Sequence, residues 1–211
     1  GERLAVSTLW CQRRAGGLAR ALEEHVALGA THRVEIDAPA GADDVPAAAA
    51  FARARMLDVV AVRAPFFSRT LADRREPAAG LTDVDPALLA QARRELRAAI
   101  EVAARFRAPR VVVHPGRLPA EEGPRGEAVE RLCRELWEAA REAAGLRIAL
   151  AMDADGEGGF GSREFGWALG ELDARTVGRA LDTVIAVRRH RAGKEARESW
   201  AQDFSERLEL L

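Results

Sequence analysis

The chain has 211 residues, 48% of them hydrophobic and 31% charged, with 32 basic and 33 acidic side chains and a formal net charge of −1. That is enough apolar material for one well-cored domain, and the charge balance gives no overall basic footprint for nucleic acid or for an anionic membrane. Two cysteines, Cys11 and Cys133, exclude a disulfide framework or a Cys-rich zinc site, so a reducing cytoplasm is the expected compartment. No stretch approaches the roughly 20 apolar residues of a membrane helix, and the first residues lack the pattern of a signal peptide. Lys194 is the only lysine, so most Schiff-base mechanisms are excluded as well.

In chain order, Leu4 to Trp10 reads as a first strand. A helix follows with Leu18, Leu22 and Val26 on one face, ended by Gly29. Arg33 to Ala38 is a second strand, and Asp43 or Asp44 caps an alanine-rich helix running to about Met56. A third strand spans Leu57 to Phe67, with Pro65 marking its exit, and Ser68 to Val84 is a long loop over the strand ends. Asp85-Pro86 opens a strong helix that keeps Leu89, Ala92, Leu96, Ala99, Ile100 and Ala103 on its apolar face. Pro109 to Gly116 then carries three valines, His114 and a forced Pro-Gly turn, which suits a buried parallel strand with the imidazole at its carboxyl end.

The next helix places Val129, Leu132, Cys133, Leu136, Trp137 and Ala140 at helical spacing and closes at Gly145, which makes Cys133 a core residue. Leu146 to Asp153 is a fifth buried strand, followed by the Gly-rich stretch from Asp155 to Gly161. A short helix to Leu172, a sixth strand from Val177 to Thr183 and a mostly helical remainder from Ile185 to about Leu208 complete the chain. Strands alternating with amphipathic helices predict an α/β fold on a parallel sheet, in a single domain over residues 1–211. The turn after the first strand, Cys11-Gln-Arg-Arg-Ala-Gly-Gly, does not fit the Gly-x-Gly-x-x-Gly of a doubly wound sheet, so a barrel is favoured.

Several strand ends carry a family resemblance. The Gly29 to Ile36 run, Val62-Arg-Ala-Pro-Phe, Val113-His-Pro-Gly, Leu150-Ala-Met-Asp-Ala and Gly178-Arg-Ala-Leu-Asp-Thr together resemble the sugar phosphate isomerase/epimerase superfamily. These are the xylose-isomerase-like TIM barrels, which also include apurinic/apyrimidinic endonuclease family 2. Against an eight-unit barrel the chain has about six βα units, and the last two have no counterpart in the sequence. The edges of such an incomplete barrel make a longer natural chain, a homo-oligomer or an unusual closure the expected ways of covering them.

The resemblance implies divalent-metal-dependent isomerisation or epimerisation of a small sugar, polyol or sugar phosphate, with Mn, Mg, Zn or Co as the metal. By position, His114, Asp153 and Asp182 fall where metal ligands are expected, and Asp153 doubles as the catalytic acid/base. Glu35 and Trp10 fall where substrate contacts are expected, and Arg63 is a further substrate-binding candidate through its guanidinium. Two positions depart from the family: Arg63 stands in place of a histidine, and Val184-Ile185 replaces a Gly-His.

Each of these residues has a plainer role available. His114 would be a satisfied structural imidazole, Asp182 a helix cap, Asp153 a turn former, Glu35 a polar strand residue and Trp10 a core aromatic. A guanidinium cannot bind a cation, so Arg63 implies either an anionic substrate group or an internal pair with Asp153 or Asp182. His25, His32 and the run Arg188-Arg-His-Arg191 read as solvated surface. The alternative function is a non-catalytic barrel with a degraded metal site, acting as a binding or scaffold protein. Abasic-site cleavage is disfavoured by the absent histidines and the lack of basic charge.

Overall fold

The computed structural model describes residues 5–8, 16–29, 31–38, 44–64, 80–153, 162–172 and 177–180. Trp10, Cys11, Asp182 and His190 lie outside the described residues, as do the Gly-rich stretch, most of the loop expected after the third strand and the helix expected from Ile185 to about Leu208. Within them the order is β1 (Val6–Ser7), α1 (Leu18–Ala27), β2 (Arg33–Asp37), α2 (Val45–Ala54), β3 (Asp58–Arg63) and α3 (Pro86–Phe106). It continues with β4 (Arg110–Val113), α4 (Glu122–Gly145), β5 (Ala149–Asp153), α5 (Ser162–Glu171) and β6 (Val177–Ala180).

All strand pairs are parallel, and the sheet order is the chain order, β1-β2-β3-β4-β5-β6. A doubly wound sheet reverses its strand order at a switch point. This sheet adds each new strand on the same side, as a β/α barrel does.

Alternation along the strands splits the sheet into two faces. Val34, Ile36, Val62, Val111, Val113, Leu150 and Met152 join the core cluster together with Leu18, Leu22, Leu96, Ile100, Leu132 and Leu136 from α1, α3 and α4. The alternate positions Glu35, Asp37, Ala61, Arg63, Val112, Ala151 and Asp153 face away from the helices, so the polar residues share the inner face. α3 begins as its sequence predicts: Asp85 is the N-cap and accepts from the Ala87 amide at 2.7 Å, and Pro86 sits in the first turn.

Four sequence readings are corrected. Asp44 caps a different helix from the one it precedes: its Oδ2 accepts from the Ala19 amide at 2.9 Å, in the first turn of α1. It makes no side-chain cap bond to α2. His25 is buried, with Nε2 2.8 Å from the Thr31 carbonyl oxygen, because the chain turns back past Gly29 and covers it. Trp137, placed on the core face by spacing alone, is 52% exposed and stacks under the Arg141 guanidinium at 4.8 Å. Cys133 is half-buried between α4 and α5 rather than central.

Candidate functional site

The polar inner face gathers at the carboxyl ends of the strands. Arg63 is the last residue of β3 and stands in register with Asp37, the last residue of β2. Its Nε donates to Glu35 Oε1 at 3.1 Å, and its Nη1 donates to Asp153 Oδ2 at the end of β5. To reach Asp153 the guanidinium passes the end of β4, which lies between β3 and β5 in the sheet. The side chains of Arg63, Glu35 and Asp153 are 18%, 19% and 3% exposed.

Burial alone would push the Arg63 pKa down. The charges of Glu35 and Asp153, the hydrogen bond to Asp153 and the charge of Asp37 outweigh it and hold the guanidinium well above its ordinary value. The internal pair that the sequence left open for Arg63 is thus formed with Asp153, and Glu35 joins it.

Asp37 was not singled out from sequence. Its signal was available, because it lies two residues after Glu35 on an alternating strand and so shares its face. It is buried, accepts from Ser7 Oγ at 3.0 Å, and its amide donates to Thr8 Oγ1 at 3.4 Å. The end of β1 therefore holds the acidic end of β2.

His114, just past β4, is buried, and the Gly116 amide donates to its Nδ1 at 3.2 Å. In a neutral ring the proton is then on Nε2. Gly116 has φ 106, and a Cβ there would come 2.4 Å from Thr82 Oγ1 and 3.2 Å from Gly80 Cα. Thr82 donates in turn to the Arg117 carbonyl at 2.9 Å. The turn after β4 is therefore clamped by Gly80 to Asp83, and the clamp holds the donor that sets the imidazole.

These residues do not fit a divalent metal. A metal-ligating histidine uses one ring nitrogen on the metal and donates with the other. In His114 the Nδ1 accepts, so ligation through Nε2 would break the Gly116 bond. Both carboxylates nearest the rim centre, Glu35 and Asp153, are engaged by Arg63. Among the described residues no group of three His, Cys, Asp or Glu side chains is arranged to hold a metal ion. Among them also, no helix is long and apolar enough to cross a membrane.

The family model for the xylose isomerase-like TIM barrel matches residues 22–197. The chain belongs to this family. Among solved structures, this xylose isomerase-like barrel is similar to a candidate xylose isomerase from Rhodospirillum rubrum, with 18% identity, TM-score 0.76, and 96% of this chain and 73% of that one covered. It is also similar to a D-tagatose 3-epimerase-like protein, with 19% identity, TM-score 0.66 and coverage of 84% and 64%. A xylose isomerase domain protein from Planctomyces limnophilus matches with 17% identity, TM-score 0.62 and coverage of 85% and 62%. In the last two cases the chain spans less than two thirds of the relative's length, and at these identities the likeness is one of fold. No curated protein matches the chain.

Proposed function

We propose that this xylose isomerase-like barrel is a sugar isomerase/epimerase-like protein that holds a small carbohydrate at the carboxyl rim. The observation that carries the reading is the convergence of Glu35, Arg63 and Asp153 from three strands at the face where β/α barrels do their chemistry. Carboxylates accept from sugar hydroxyls and the guanidinium donates to hydroxyl or carbonyl oxygens, so one cluster offers both halves of carbohydrate recognition. Asp153, fixed by Arg63, is the group for moving a proton at a carbon next to a carbonyl.

A direct test is solvent deuterium exchange, followed by NMR, on a panel of ketopentoses, ketohexoses and their phosphates. Incorporation next to the carbonyl of one panel member, lost in Asp153→Ala, is the expected result. Saturable binding with no exchange for any member would replace it with the second reading, a non-catalytic carbohydrate-binding barrel. The engagement of both carboxylates by Arg63 favours that alternative. Neither binding nor exchange would sink both.

A further inference from the structure

We propose that the Arg63 guanidinium is the resident cation of this rim, and that the site takes an uncharged polyhydroxylated ligand without a divalent metal. For its ligand, the inference rests on the carbohydrate reading above. Two carboxylates brought to one point from β2 and β5 repel each other and need positive charge between them. A divalent ion is one solution, and here the covalently attached Arg63 is another, with Nε on Glu35 and Nη1 on Asp153. An exchangeable ion would have to displace the guanidinium from both. The His114 imidazole, just past β4, is set against ligation independently, by the Gly116 amide on Nδ1.

The same geometry speaks against a phosphate. Two of the guanidinium's N–H groups are already committed to carboxylates, and Glu35, Asp153 and Asp37 together outnumber its single positive charge. Breaking either pair would leave a carboxylate facing the incoming anion, with the buried Asp37 nearby as a further negative charge. A neutral polyol brings no charge of its own into this cluster and does not require either pair to break.

Equilibrium dialysis of the full chain against Mn²⁺ and Zn²⁺ tests the cation. Less than about a tenth of an equivalent is expected for the unaltered protein, and several-fold more for Arg63→Met, which frees both carboxylates. About one equivalent on the unaltered protein, abolished by Asp153→Asn, would overturn the proposal. Should Arg63→Met fail to fold, those two remaining measurements decide.

The ligand is tested with matched pairs, D-fructose with D-fructose 6-phosphate and D-ribulose with D-ribulose 5-phosphate, with and without EDTA. The free sugar of at least one pair is expected to bind about tenfold more tightly than its phosphate and to be indifferent to chelator. Chelator-sensitive binding, or tighter binding of the phosphate, would overturn it. If no sugar in either form binds, the carbohydrate reading falls and the ligand half of the proposal with it, while dialysis still decides the resident cation.

Discussion

Two arginines in this fold meet buried carboxylates, with different consequences. Between α3 and α4, Arg93 grips Glu135 through both arms of its fork, Nε to Oε2 and Nη2 to Oε1, each at 2.5 Å. The hydrogen bond to Glu135, opposed by partial burial, raises the Arg93 pKa. One charge answers one charge, and Arg93 keeps 48% of its side chain in solvent. At the rim, Arg63 is 18% exposed and divides its fork between two carboxylates, with Asp37 close behind. The balanced pair fastens two helices together. The unbalanced one leaves an excess of negative charge at the rim.

The largest effect that would break this comparison is expected from Arg63→Ala. It strands two carboxylates at once and should cost about 3–5 kcal/mol in urea unfolding, with Arg63→Lys recovering part of it. A cost below about 1 kcal/mol would mean that the rim carboxylates are solvated and the cluster is not a buried network. Titration of Arg63 itself contributes no pH dependence to this cost near neutrality. The folded-state pKa of Arg63 is raised, so its contribution is fully present below the ordinary value and is lost only as pH rises through the higher folded one. Between about pH 6 and 9 the Arg63 charge therefore adds no slope to the stability difference between the two proteins.

Gly116→Ala comes next, at about 2–3 kcal/mol, because it forces a positive φ on a side chain that also collides with Thr82. If the clamp sets the imidazole, long-range proton–nitrogen NMR will show His114 losing its pure Nε2–H form in this variant. Unchanged ring shifts would detach His114 from the turn.

Arg93→Ala should cost about 1–2 kcal/mol, discounted because the guanidinium is half exposed. The smallest effect on stability is expected from Asp153→Asn, within about 1 kcal/mol of the parent, since Arg63 keeps Glu35 and a like-charge repulsion is relieved. The same variant should lose carbohydrate binding or turnover. Calorimetry and a binding titration on one sample separate the two effects, and a large stability loss with binding intact would erase the distinction between rim and helix pair.

What could be read from sequence follows the physical range of each signal. The valine run, the Asp85-Pro86 start and the ends of β2 and β5 are set by neighbours within a turn or a strand, and the fold places them where periodicity does. The ligand-type strand ends His114 and Asp153 were legible from their position after apolar runs. The choice of partner for Arg63 was not, because it depends on β3 reaching across β4 to Asp153, 90 residues on in the chain. His25 and Trp137 changed sides for the same reason: periodicity gives a helix its stripe, but a returning loop or an arginine on the next turn decides what is covered. The tautomer of a neutral His114 hinges on one backbone amide, which no residue pattern encodes.

The Asp44 carboxylate that caps α1 comes from the residue just before α2, in the following βα unit, across 25 residues of sequence. The repeating units of this barrel are therefore not interchangeable modules. A fragment ending before Asp44, or a graft of the first unit onto another barrel, would carry a helix whose first turn has lost its acceptor. Such joins are better made where no cap crosses the cut.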